Sequence, residues 1–153
     1  MYRQKQRMIL TAAAAIVPLV AACGSEKAGS DPGSGSVGVQ RPVTGVDWSV
    51  DSFTADGATH RAQGKPYLEF DEKTGKVAGR LGCNHVNASA TVRDGHITVG
   101  RPATTRMMCD TSLMQTERAL LSLFNGKISY QVDADNLTLT STNGTSVRAV
   151  AAK

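Results

Sequence analysis

Surplus charge of one sign is the first thing this sequence lacks. Its 17 Lys and Arg outnumber its 13 Asp and Glu, but Arg3, Lys5 and Arg7 all fall in the first seven residues. Setting those three aside leaves 14 basic against 13 acidic residues, with no basic run and no interleaving of basic and aromatic side chains. A chain so balanced carries no electrostatic footprint for a polyanion, which excludes nucleic acid as a partner. Long apolar runs are missing as well: the uncharged stretch from Met8 to Ala22 is too short to span a bilayer comfortably. Histidine and cysteine are scarce, with three of each. No Gly-x-Ser-x-Gly turn presents a nucleophilic serine.

What the N-terminus does contain reads as an export signal. Positive charges at Arg3, Lys5 and Arg7 precede an apolar core over Met8 to Ala22, the pattern of a signal peptide covering residues 1–22. The core ends in Leu19-Val20-Ala21-Ala22-Cys23, which resembles a bacterial lipobox, so Cys23 is expected to carry the lipid and to become the mature N-terminus. Ordinary cleavage after Ala22 is the alternative. Residues 23–42 are rich in Gly, Ser and charge and offer almost nothing to bury, which predicts a flexible tether standing a domain off a membrane. The expected location is the bacterial cell envelope, on the extracytoplasmic side.

From about Val43 the composition changes to short segments punctuated by turn residues, the pattern of antiparallel β structure. Trp48 to Phe53 alternates apolar and polar; Pro66 to Asp71 and Val77 to Leu81 follow as strands. Ala88 to Arg93 and His96 to Val99 flank Asp94-Gly95, a pair that favours a two-residue hairpin. After Cys109 the period shifts to helical. Asp110, Thr111 and Ser112 are candidate N-caps, Ser112 and Gln115 have capping-box spacing, and Leu113, Leu120, Leu121 and Phe124 share a face before Asn125-Gly126 stops the helix. Ile128 to Val132, Leu137 to Thr140 and Ser146 to Val150 complete the strands. The expectation is a mainly β (α+β) domain over 43–153, one antiparallel sheet curling into a partial barrel with one helix packed on it.

The centre of the chain is Val77-Ala78-Gly79-Arg80-Leu81-Gly82-Cys83-Asn84-His85, echoed by Ala103-Thr104-Thr105-Arg106-Met107-Met108-Cys109. With Cys23 assigned to the lipid, Cys83 and Cys109 are the two thiols left in an exported domain, and such pairs form disulfides. Closing a loop of about 27 residues is worth roughly 3.5 kcal/mol in the chain-entropy account. Gly82-Cys83-Asn84 after a Gly-containing strand, then Thr105-Arg106-Met107-Met108-Cys109, a short helix and strands closing on Asn136-Leu137-Thr138-Leu139, resembles the META domain family, also called HslJ-like. The resemblance runs from about Val43 to Ala151 and implies a small antiparallel β domain with one helix, found in envelope or secreted proteins, with no established enzymatic activity.

The candidate chemistry is thin. Cys83 with His85 and Asp110 resembles a nucleophile set, but a disulfide to Cys109 removes the nucleophile. Cys83, His85, Cys109 and Asp110 suit zinc or copper by type, without the paired-ligand spacing of a zinc finger. No catalytic residue, metal ligand or cofactor is therefore expected. Trp48, Phe70, Leu81, Met107, Met108, Leu120 and Phe124 are the candidates for core or for the wall of a ligand cavity between sheet and helix. Met107, Met108 and Met114 read more readily as core filling, and the Asn84 amide as a cap for backbone groups in its turn. These residues suggest a non-enzymatic, lipid-anchored module that binds an envelope protein or serves envelope stress, with a carrier of a small apolar ligand as the alternative.

Overall fold

The structure, a computed structural model, describes residues 41–153. The signal peptide over 1–22, the lipidation of Cys23 and all but the end of the tether over 23–42 lie outside the described residues.

Ten strands and one helix follow one another: β1 (Asp47–Ala55), β2 (Ala58–Arg61), β3 (Tyr67–Asp71), β4 (Lys76–Arg80), β5 (His85–Arg93), β6 (His96–Val99), β7 (Ala103–Thr104), α1 (Thr111–Leu123), β8 (Lys127–Asp133), β9 (Asn136–Ser141) and β10 (Ser146–Ala151). The sheet runs β10-β9-β8-β6-β5-β4-β3-β1, and β10 returns to pair with β1 from Trp48↔Ala151 to Thr54↔Ser146. The expected curl thus goes to completion as a closed, eight-stranded antiparallel barrel.

Alternation along the strands explains the closure, because each strand puts every second side chain inside. Leu68 and Phe70 of β3, Val77 of β4, Val86, Ala88 and Ala90 of β5, and Leu137 and Leu139 of β9 point inward, and their neighbours face water. Removing each large apolar side chain from water is worth roughly 1.5–3 kcal/mol. Strict alternation on β1 would carry Trp48 and Val50 on to Ser52. The register to β10 instead slips between Val50 and Ser52, and this bulge brings Phe53 inside.

The Asp94-Gly95 hairpin is present, with φ of 50° and 73° at its two loop residues. A second hairpin of the same kind turns β1 into β2 at Asp56 and Gly57, with φ of 52° and 78°. Every residue of β2 is exposed, so β2 lacks the apolar alternation that marks a strand in sequence. The two residues of β7, which pair with Val86 and Asn87, are too few to show a period. β5 begins at His85, three residues before the sequence pattern suggested.

At one end of the barrel α1 lies against the connections β2–β3, β4–β5 and β9–β10, placing Leu120 and Leu123 in the core. Its N-cap is Asp110, whose carboxylate accepts from the Leu113 N–H at 3.0 Å. The expected Ser112–Gln115 capping box does not form, because Ser112 lies inside the first turn and donates its hydroxyl to Asp110. At the other end the segment before β1 crosses over: Val43 is buried, its carbonyl accepts from the Trp48 indole N–H at 2.8 Å, and Gly45 donates to the Phe70 carbonyl at 2.8 Å.

Gly79 marks the tightest strand contact. A Cβ there would sit 2.1 Å from the Tyr67 carbonyl oxygen, on the β3 backbone. Gly79→Ala must push β3 and β4 apart, and a loss of about 2–3 kcal/mol is expected. Urea unfolding checks this; a midpoint equal to wild type would contradict the close approach.

Candidate functional site

The residues flagged by the sequence meet where α1 covers the β4–β5 connection. β4 ends at Arg80, and the chain turns through Leu81-Gly82-Cys83-Asn84 into β5, the Leu81 N–H donating to the Asn84 carbonyl at 2.8 Å. Gly82 has φ 115°, and a Cβ on it would lie 3.2 Å from the carbonyl oxygens of Gln63 and Leu113. Only glycine combines that dihedral with that proximity.

The turn presents Cys83 and Asn84 to the strap formed by residues 105–109. Cys83 is buried and bonded to Cys109 as a disulfide, with the Cα atoms 6.0 Å apart. Asn84, 2% exposed, uses its whole amide. Its Oδ1 accepts from the Met107 N–H at 2.7 Å and the Thr105 hydroxyl at 2.8 Å, and its Nδ2 donates to the Met107 carbonyl at 3.0 Å. The strap is also laced to β5, with the His85 N–H donating to the Thr105 Oγ1 at 3.1 Å and the Thr105 N–H to the His85 carbonyl at 3.2 Å.

Glu117 holds Asn84 from behind. This carboxyl, 5% exposed on the buried face of α1, accepts from the Asn84 backbone N–H at 2.8 Å and from Nδ2 at 2.9 and 3.0 Å. Its neighbour Thr116 accepts the Gln63 N–H at 3.0 Å and donates to the Ser112 carbonyl at 3.2 Å. No basic side chain pairs with Glu117; the ion pairs among the described residues are Arg41–Asp135 and Arg61–Asp51, both exposed. The cluster nevertheless leaves no buried polar side-chain atom without a partner.

The expected capping role of Asn84 is present, but its target is the distant Met107 strap as well as its own turn. Glu117 and Thr105 were missed. The signal for Glu117 was available, since it lies four residues beyond Leu113 and three before Leu120, a charge on the apolar stripe of a helix.

Of the seven core or cavity candidates, Trp48, Phe70, Leu81, Leu120 and Phe124 are buried in one continuous apolar cluster. Met107 and Met108 are corrected: they are 56% and 90% exposed. The strap runs outside the barrel, with Cys109 and the Met107 backbone tied to the turn, so both thioether chains leave toward water. Cys83 and His85 do not form a nucleophile–base pair, because Cys83 is in the disulfide and His85 is exposed. The disulfide also removes both thiols from the candidate metal set, and no group of three or more His, Cys, Asp and Glu is gathered among the described residues.

Two clefts flank this cluster. A groove of about 500 Å³ runs between the β1–β2 hairpin and α1, lined by Phe53, Ala55, His60 and Arg118 among others. A shallower depression of about 430 Å³ lies on the outer wall, bordered by Tyr67, Gly79, His85, Asn87 and Thr104.

A closed antiparallel barrel, capped by one helix and strapped by a disulfide beside a buried Asn–Glu pair, defines the class of protein. The META domain family model matches residues 41–153, and the chain belongs to that family. Among solved structures it is similar to a protein from Burkholderia xenovorans determined by NMR, with 24% identity and a TM-score of 0.61 over 72% of this chain and 84% of that one. A second protein determined by NMR is 22% identical, with a TM-score of 0.54 over 69% of this chain and 88% of that one. No functionally curated protein matches the sequence. These likenesses establish the fold.

Removing either member of the buried pair strands the other. Asn84→Ala and Glu117→Ala are each expected to cost about 2–4 kcal/mol in urea unfolding, and the double variant clearly less than the sum. Additive losses would show that the two residues act separately. A pH effect follows at the helix start, where hydrogen bonds from the Ser112 hydroxyl and then the Leu113 N–H hold the Asp110 carboxyl below its usual 3.8. A folded-state value below the unfolded one stabilises above that usual value and is lost as pH falls through the depressed one. The stability gap between wild type and Asp110→Asn should therefore close on acidification from neutrality to below 3.8; a gap that stays constant would refute the cap's charge dependence.

Proposed function

We propose that this META-domain protein is a non-enzymatic binding module, anchored by lipid at Cys23 to the extracytoplasmic face of a bacterial membrane and serving the envelope through a protein partner. The observation that carries the reading is the Cys83–Cys109 disulfide, a bond that forms and persists in oxidising compartments and so supports an exported chain. Export agrees with the charged start, the apolar run to Ala22 and the small residues before Cys23. The reading as a binder draws on how the chemistry-bearing side chains are used. Both thiols of the domain are joined, and the buried carboxyl and amide are engaged with each other and with backbone. A role in envelope stress is the finer part of the proposal and adds no residue to it.

The test is fractionation of cells making the wild-type chain and Cys23→Ala. The variant is expected to leave the membrane fraction or to accumulate unprocessed, and the wild-type N-terminal peptide to carry the mass of its acyl chains. An unchanged membrane fraction without acylation would remove the anchor.

A further inference from the structure

The groove of about 500 Å³ between the β1–β2 hairpin and α1 takes no part in the Asn84–Glu117 cluster. One of its walls is a face of the hairpin. Residues directly opposite in an antiparallel pair share a face, so Phe53 with His60 and Ala55 with Ala58 line this wall together. The Phe53 and His60 rings are stacked, their centroids 5.4 Å apart. The facing wall belongs to α1, where Gln115, Arg118, Ala119 and Ser122 follow at helical spacing, and Asn143 and Thr145 of the β9–β10 turn complete the lining. Alanine or serine at four of these positions leaves the space between the walls unfilled. Phe53 is accordingly buried while Ala58 and His60 stay exposed.

The polar groups of the lining divide in two. Ser122, Asn143 and Thr145 are spent on one another and on backbone. The Ser122 hydroxyl donates to the Ala119 carbonyl at 2.6 Å and is hydrogen-bonded to the Thr145 hydroxyl at 2.9 Å; the Asn143 amide donates to the Ser122 carbonyl at 3.0 Å and accepts from the Thr145 N–H at 3.0 Å. These bonds tie the turn to the helix. Asp56, His60, Gln115 and Arg118 lie outside that network, and all four are exposed. Asp56 on the hairpin and Arg118 on the helix put one charge of each sign on facing walls, and neither joins an ion pair among the described residues. A ligand of a single sign would leave one of them unmatched, whereas a ligand carrying both signs matches each.

We propose that this groove binds a small zwitterion with an apolar body, its ammonium at Asp56 and its carboxylate at Arg118, the chemistry of an amino acid or a short peptide. The guanidinium fork of Arg118 takes the carboxylate, and Gln115, three residues before it on the same helical face, supplies a further donor. The apolar body lies against Ala55, Ala58 and the stacked Phe53–His60 pair. A volume of about 500 Å³ falls within the roughly 300–1,000 Å³ of small-molecule sites. The site is separate from the anchor at Cys23 and from a protein partner, so it stands or falls by its own measurement.

The experiment titrates the full chain, purified in detergent, with free phenylalanine, with the dipeptide alanyl-phenylalanine, and with that dipeptide acetylated at its amine or amidated at its carboxyl, by calorimetry and ligand-observed NMR. The free dipeptide is expected to bind one to one, and blocking either end to weaken it about ten-fold. Phenylalanine binding as tightly as the dipeptide would name free amino acids as the source of the ligand, and weaker binding would name peptides; either result keeps the site. Arg118→Ala should weaken the free dipeptide about ten-fold and leave the amidated one unchanged. Asp56→Asn, an exchange that its φ of 52° accepts, should likewise penalise the free amine and spare the acetylated form. A merely structural role for either residue would weaken all probes alike. Ala58→Phe fills the groove and should abolish binding with the melting temperature near wild type, because Ala58 is exposed. No binding of either phenylalanine or the dipeptide, end-blocked forms that bind as well as the free one, or binding that survives Ala58→Phe would overturn the proposal.

Discussion

A carboxyl group taken out of water with no cation beside it persists only where hydrogen bonds replace the water it gave up. Glu117 occupies such a place, and the centre of the molecule is arranged to satisfy it. Its partner must offer donors from one rigid position, which Asn84 does with both its backbone N–H and its side-chain amide. That demand fixes the amide's orientation and leaves Oδ1 facing the strap, where it takes up the Met107 N–H and the Thr105 hydroxyl. The β4–β5 turn, the helix and the strap are thus held by one carboxyl. Gly82, Cys83 and Asn84 are consecutive because the turn must reverse the chain, reach the strap and meet the helix within three residues.

The barrel supplies the frame that makes this convergence possible. β1 is its seam, pairing with β10 along one edge and with β3 and then β2 along the other. A strand asked to serve three neighbours cannot keep one register, and the bulge after Val50 is where it yields. Closure removes the long unpaired edges that would recruit other chains, leaving, among the described residues, the short β2 and β7 outside the ring. Both ends are covered, by α1 and by the segment holding the Trp48 indole, and the inward side chains form one buried apolar cluster.

Much of the fold was legible because most strands obey a single period. Leu68 and Phe70, Val86 to Ala90, and Leu137 and Leu139 alternate so regularly that inward and outward faces follow from sequence. Legibility failed where a tertiary partner overrode the local pattern. β2 has no buried side chain and exists because the Asp56-Gly57 turn lays it against β1. Phe53 is inside because β10 imposes a slip that β1 alone cannot reveal. The site divides along the same line. The cysteines and Asn84 stand in recognisable turns, but Glu117 becomes meaningful only once the helix faces the turn from more than thirty residues away. Met107 and Met108 misled for a related reason: a thioether chain reads as core wherever it occurs, and only the path of the strap outside the barrel shows otherwise.

The strap is secured twice, and the two devices act on different states. The disulfide narrows the unfolded ensemble, worth roughly 3.5 kcal/mol for a loop of this size, and does not depend on how the native strap is oriented. The Asn84 and Thr105 hydrogen bonds exist only in the folded chain and specify which way each strap residue faces. The disulfide alone holds Cys109 at the turn and leaves the course of the residues before it unspecified. The hydrogen bonds to Asn84 fix the Met107 backbone, and in the strap so held both methionine side chains are exposed. Their exposure therefore reflects the buried polar cluster beneath them, and so does the shape of the surface they form.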